Sequence, residues 1–173
     1  MAGVPYFISD LHLGHKRILD FGQRVGIKTI EEHDDLIIET IGKKVKKKAD
    51  ILWILGDVAM NRESLSKLSR LQCRKRLVLG NHDNYNIQEY LKYFENVYGL
   101  VRNYHGLVFS HCPLHPNEMA YRNWKCNVHG HIHHPEKDLD DPTYFNVNVD
   151  IIGMEPLSLE ELRQGIINKG GEV

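Results

Sequence analysis

Eight polar residues stand at the ends of apolar runs: Asp10 and His12, Asp57, Asn81 and His82, His111, then His131 and His133. Carboxylates, imidazoles and one carboxamide are the donors that a pair of borderline divalent cations takes, with no thiolate needed. One carboxylate can bridge two such ions about 3.5 to 4 Å apart, with a hydroxide shared between them, and that arrangement hydrolyses phosphate esters. Each piece alone is weak. Asp-x-His can be a turn carboxylate beside a surface histidine, Gly56-Asp57 is a common turn, and Asn81 can simply take a left-handed backbone position. His111 before Cys112 reads by itself as an ordinary partly buried histidine. Gly130-His131-Ile132-His133 says more, because alternate residues of a strand face the same side and can coordinate together. It sits in the densest stretch of a chain with 11 histidines, beside His129 and His134. All the pieces occur in one chain, each at a strand end, where a rigid sheet aims several loops at one point.

The elements that must position them alternate along the chain. Val4 to Ser9 reads as a buried strand that runs into the turn Asp10 to His15. Thr29 with Glu32 makes a capping box, and Ile30, Ile37, Ile41 and Val45 follow near helical period, which predicts a helix of about 18 residues. Lys43, Lys44, Lys46, Lys47 and Lys48 at its end read as a solvated C-terminus that complements the helix dipole. Ile51 to Leu55 is a second strand, Leu65, Leu68 and Leu71 mark a short helix, and Arg76 to Leu79 is a third strand. A helix near Ile87 to Phe94 precedes strands at Val97 to Val101, Leu107 to Ser110, Asn127 to His129 and Tyr144 to Val149. Ser158 with Glu161 caps a final helix through Leu159, Leu162 and Ile166. Strand-helix alternation followed mostly by strands predicts two packed sheets with helices outside.

With 173 residues the chain fits a single domain, 1–173, able to bury a core without disulfides. Lys and Arg (22) nearly balance Asp and Glu (23), which excludes a general electrostatic grip on nucleic acid and leaves only a local patch open. Cys73, Cys112 and Cys126 are odd in number and lack CxxC spacing, as expected in a reducing compartment. No apolar run approaches a membrane span, and Met1 to Asp10 lacks the basic and apolar regions of a leader. A soluble cytoplasmic protein is the expectation.

The blocks Asp10-Leu11-His12, Gly56-Asp57, Gly80-Asn81-His82-Asp83, His111 and Gly130-His131-Ile132-His133 resemble the five signature blocks of the calcineurin-like metallophosphoesterase superfamily. Tyr6 to His15 and Ser110 to Leu114 resemble its small bacterial and bacteriophage members. The resemblance implies an α/β (α+β) fold, a four-layer, two-sheet β-sandwich flanked by helices, and a metal-dependent phosphoric ester hydrolase that holds two divalent metal ions. By it, the first ion takes Asp10, His12, the bridging Asp57 and His133, and the second takes Asp57, Asn81, His111 and His131. His82 binds no metal; it faces substrate, stabilises phosphoryl oxygens and helps the leaving group depart, as an imidazole can near neutral pH. Many members carry an Asp three residues after the bridging one to orient that histidine. Here the position is Met60, and Asp83 or a main-chain carbonyl is expected to serve instead.

Manganese is the expected metal, while Fe, Zn, Co and Ni also suit histidine and carboxylate donors. Asn81, His15, Arg17 and Arg122 are the candidates for substrate contact. His15, Lys16 and Arg17 read equally as a solvated helix start, and Asn117 to Lys125, with Tyr121, Arg122 and Trp124, read equally as packing plus solvent-facing charge. A monoester brings about two negative charges and a diester about one, so a monoesterase needs several added cations. Few stand near the motifs, whereas imidazoles, Tyr121 and Trp124 suit a nucleoside. The expected substrate is therefore a phosphodiester of nucleotide or nucleic-acid-end type, with a phosphomonoester as the alternative. A non-catalytic binding scaffold should show substituted ligands, and none is substituted. A cysteine phosphatase needs Arg six residues after its Cys, where Cys112 has Glu118, and a metallo-beta-lactamase needs His-x-His-x-Asp-His, where residues 129–134 lack the Asp.

Overall fold

Strands buried on both faces carry unbroken apolar runs, and Ile51 to Leu55 is one of them. In the computed structural model, which describes residues 3–21 and 24–173, Leu52 and Ile54 join one core while Trp53 and Leu55 join another. Met1 and Ala2, where the segment read for a leader begins, lie outside the described residues. Strands β1 (Pro5–Ile8), β2 (Ile51–Ile54), β3 (Arg74–Val78) and β4 (Asn96–Tyr98) pair in parallel. A second sheet follows as β5 (Val101–Tyr104), β6 (Leu107–Ser110), β7 (Cys126–His129) and β8 (Tyr144–Asn146), antiparallel between β5 and β6 and parallel thereafter. β9 (Leu157–Ser158) returns antiparallel to β1, so the first sheet runs β4-β3-β2-β1-β9.

Between the sheets lie Phe7, Trp53, Leu55, Val78, Phe109 and Val128, with the Phe7 and Trp53 rings 5.1 and 5.3 Å from that of Phe109. Truncating a buried aromatic of this kind to alanine costs about 3–5 kcal/mol, which makes this layer the anchor for both sheets. On the far side of the first sheet, α1 (Ile30–Lys44) lays Ile37, Ile38 and Ile41 against Leu52, Ile54 and Leu77. Further helices are α2 (Arg62–Ser66), α3 (Ile87–Tyr90), α4 (Pro116–Arg122), α5 (Val149–Ile152) and α6 (Leu159–Asn168). α4 covers the outer face of the second sheet, where Met119 meets Val108 and Tyr144. Helix, sheet, sheet, helix is the expected four-layer α/β sandwich. The capping boxes of Thr29 with Glu32 and Ser158 with Glu161 are both formed. No helix among the described residues is long and apolar enough to cross a membrane.

Local expectations change in four places. Val97 to Val101 is not one strand: Gly99 and Leu100 separate β4 from β5, which lie in different sheets. Tyr144 to Val149 stops being a strand at Asn146, because the Asn148 side chain accepts from Asp150 N at 2.9 Å and caps α5. Asn117 to Lys125 holds most of α4, whose buried Met119 packs beside Trp124. The first helix has 15 residues, since Val45 leaves helical backbone at φ −96° and ψ 83°.

Candidate metal centre

The loops after β1, β2, β3, β6 and β7 are tied together by hydrogen bonds, the one after β3 through the carboxylates of Asp57 and Asp83. Asp10 N donates to Gly56 O at 3.0 Å, His12 N to Asp57 O at 2.9 Å and Leu13 N to Val58 O at 2.9 Å, zipping the first two loops together. Gly130 N donates to His111 O at 2.9 Å and joins the last two. Asp10, His12, Asp57 and His131 hold φ of 59°, 49°, 54° and 69°. Side chains rarely adopt that left-handed backbone, and where the surroundings enforce it the position is usually functional. The close approach also needs glycine: a Cβ on Gly80 would stand 2.2 Å from Asp57 Oδ1, and one on Gly130 would stand 2.2 Å from Asp10 Oδ2.

Side chains converge from these loops in two groups. In the first, His12 Nε2 is 3.8 Å from Asp10 Oδ1 and 3.3 Å from His133 Nε2, which is itself 3.5 Å from Asp10 Oδ1. In the second, His111 Nε2 is 2.9 Å from Asn81 Oδ1 and 3.3 Å from His131 Nδ1. Asp57 Oδ2 faces both, 3.7 Å from His12 Nε2 and 3.3 Å from His111 Nε2. The Cys112 thiol stands within 4.8 Å of ring nitrogens of both His111 and His131, a neighbour that sequence reasoning missed.

The donor set fits cations. Asp10 Oδ2 accepts from Ser9 Oγ at 2.5 Å and His131 N at 2.9 Å, but the buried Oδ1 accepts nothing among the described residues. His111 Nδ1 donates to Leu55 O at 2.9 Å and His133 Nδ1 to Asp150 Oδ2 at 2.6 Å. Carbonyl and carboxylate only accept, so in each ring Nε2 is the atom left to face the centre. Burial raises the Asp10 carboxyl and lowers the His12 imidazole. Burial also opposes protonation of His111, yet its hydrogen bond to Asp57 and the charges of Asp10 and Asp57 raise it to about 9. Burial opposes ionisation of Asp57 too, but His111 keeps it low. Two buried carboxylates draw in positive charge; a proton on His111 is one source and a divalent cation the stronger one.

His82 is exposed beside this cluster, its ring centroid 5.6 Å from that of His12, while its N–H donates to Asp57 Oδ1 at 2.9 Å. Asp83 does not orient that ring. Its carboxylate accepts from Asp57 N (2.8 Å), Val58 N (3.0 Å) and Gly80 N (2.8 Å), so it is spent on the backbone of two loops. His15 reaches the site, its ring 5.4 Å from His12, and burial together with His82 lowers its pKa. A cavity of about 530 Å³ takes in His12, His15, Asp57, His82, His131 and His133, with Ile18, Ile132, His134 and Lys137 as further walls. A second cavity of about 400 Å³ opens on Asn81 and His111 and is otherwise lined by residues such as Leu79, Leu100, Val101, Pro113 and Leu114. Arg17 and Arg122 line neither; Arg122 is exposed on α4 with its guanidinium 5.6 Å from the Tyr121 ring. Lys137, which no motif marks, is the one Lys or Arg among the described residues lining these two cavities.

Behind the first group, Asp150 also accepts from Arg24 Nε at 2.9 Å. The same guanidinium donates to Asp10 O at 2.9 Å, to Leu11 O at 3.1 Å and to His33 Nε2. Nothing in the sequence pairs these residues.

The family model for calcineurin-like phosphoesterase matches residues 6–164. The gene 66 protein of Mycobacterium phage L5 is 31% identical over 163 residues, which cover 75% of this chain and 77% of that protein. The gene 66 protein of Mycobacterium phage D29 is 25% identical over 178 residues, covering 84% and 87%. A solved structure of a protein of unknown function from Aquifex aeolicus superposes with TM-score 0.77 at 26% identity, over 94% of this chain and 98% of that one. The nuclease MPE of Pseudomonas putida shares the fold at TM-score 0.51 and 16% identity, over 75% and 61%.

Proposed function

Because the chain belongs to the calcineurin-like phosphoesterase family, and is therefore a metal-dependent phosphoester hydrolase, we propose that it is a dinuclear phosphodiesterase. Asp10, His12, Asp57 and His133 hold one divalent cation, Asp57, Asn81, His111 and His131 hold the other, and the donor mixture suits manganese. Asp57 Oδ2 facing both groups supports the shared ligand. When bound, the ions supply Lewis-acid stabilisation of phosphoryl oxygens and a lowered pKa for attacking water.

This chain's own residues supply the rest. His82, exposed to the larger cavity and free of the cation groups, carries the proton that the leaving oxygen needs. His15 and Lys137 bind and orient the phosphoryl group from the same wall. The observation that carries the diester reading is that two cavities open on the cluster, one lined by His12, Asp57, His131 and His133 and the other by Asn81 and His111. A diester has two organic substituents to seat and a monoester one. Among the described residues lining the two cavities, only Lys137 adds fixed positive charge, which suits the lower charge of a diester. Nucleotides or nucleic-acid ends fit, since the imidazole wall and the apolar groove can each take a base. Free Cys73, Cys112 and Cys126 fit a reducing cytoplasm, and the whole chain acts as one domain.

The test compares kcat/KM for bis-nitrophenyl phosphate and nitrophenyl phosphate with the same metal loaded. The diester is the better substrate on this reading; a preference of about tenfold or more for the monoester, some 1.4 kcal/mol of transition-state binding, reverses it.

A further inference from the structure

A histidine presents a lone pair to a cation only if its other nitrogen carries the proton, and what fixes that tautomer is the group beyond the ring. For His133 the group beyond is Asp150, at 2.6 Å from Nδ1. Asp150 is in turn held by Arg24, whose Nε is 2.9 Å from Oδ1 and whose Nη2 is 3.4 Å from Oδ2. Arg24 is 3% exposed and the Asp150 side chain 2%, so neither charge can turn to water.

The guanidinium also reaches the other side of the first group. It donates to the carbonyls of Asp10 and Leu11, which belong to two successive peptides just after the left-handed φ of 59° at Asp10. Its last partner is His33 Nε2, which must accept, so His33 Nδ1 donates to Asp34 Oδ1 at 3.0 Å. That same Asp34 oxygen accepts from Gly14 N at 2.9 Å, returning to the loop after β1. Every donor in this chain of contacts has one direction available to it.

We propose that Arg24 and Asp150 are positioning residues for the first cation alone. They set the tautomer of His133 and clamp the backbone of Asp10, and their side-chain hydrogen bonds among the described residues, other than to each other, go to His133, His33 and the carbonyls of Asp10 and Leu11. The inference rests on the dinuclear reading above.

The direction of the hydrogen bonds makes a specific variant informative. In Asp150→Asn the carboxamide has one acceptor and one donor end, and Arg24 can only donate. The amide oxygen therefore turns to Arg24 and the NH₂ to His133, whose Nδ1 must then accept. The proton moves to Nε2, and the ligand to the first cation is lost although the side chain keeps its shape and His133 is unchanged.

Calorimetric titration with Mn²⁺ of chelator-treated protein, with folding checked by circular dichroism, separates the cases. Wild type takes up two ions per chain; fewer than two removes the dinuclear reading and this inference with it. With two in wild type, folded Asp150→Asn should lose about 10- to 100-fold in affinity at one site and keep the other. Wild-type affinity at both sites in that variant overturns the inference and leaves the dinuclear reading standing. In folded, cation-free Asp150→Asn, nitrogen-proton correlation spectra should show the His133 proton on Nε2, a change that structural damage alone does not give; a proton still on Nδ1 overturns the tautomer argument. Should Asp150→Asn not fold, nitrogen-proton correlation spectra of cation-free wild type decide the matter, with His133 protonated on Nδ1 expected and a proton on Nε2 contradicting it.

Discussion

His82 lines the larger cavity and is tied to the cluster by its backbone N–H, which donates to Asp57 Oδ1. If it acts on substrate, His82→Ala keeps most of the bound metal and loses about 10² to 10⁴ in turnover, the range for a general acid. The loss should shrink for nitrophenyl esters, which need little protonation on leaving, and equal losses for good and poor leaving groups would remove the acid role. Side-chain type at strand ends made the donors of the cluster legible in the sequence, because carboxylate, imidazole and carboxamide advertise their chemistry wherever they stand. Arg24 and Asp150 were not legible, since they lie 126 residues apart and an ion pair leaves no periodic trace. Asp83 misled for a related reason: adjacency to His82 pointed to the ring, but three backbone N–H groups at the junction of two loops needed an acceptor and took it.

Helix α1 meets the loop after β1 through its second turn, where Asp34 receives Gly14 N at 2.9 Å and faces Lys67 Nζ at 3.5 Å. Burial opposes ionisation of Asp34, yet His33, Gly14 N, Ser64 and Lys67 together hold its pKa below the ordinary value. A carboxyl depressed on folding stabilises fully above its unfolded pKa, about 3.9, and that stability is lost as pH falls through the folded value. The stability gap between wild type and Asp34→Asn, measured by urea unfolding in chelator, should therefore be full at pH 6 and narrow below about pH 4. A gap that holds or widens in acid would show that Asp34 is not ionised in the folded protein. At this scale the sequence reads well where an element has a period or a cap, as α1 and α6 do. It reads badly where assignment depends on a neighbour: Val97 to Val101 is uniformly strand-like, and only the partners β3 and β6 decide that Gly99 and Leu100 divide it between two sheets. α4 is short, and its one fully buried anchor, Met119, gives no pattern to find.

Across the whole molecule, strands buried on both faces fix a rigid two-sheet frame, and the frame holds four site residues in left-handed backbone while Asp57 faces both groups of side chains. The unbroken apolar runs of β1 and β2 announced that frame; β9, two residues long, and the membership of each sheet emerge only from packing. Asp57 faces both groups, so the most direct measurement of the proposed centre is metal content per chain together with turnover in wild type and Asp57→Asn. An amide at that position still offers one oxygen but cannot supply the charge that two cations require between them. The expected result is about two ions per chain in wild type, with metal content and turnover falling together in folded Asp57→Asn. Undiminished turnover in that variant, or two ions retained at wild-type affinity, would contradict the shared-ligand centre.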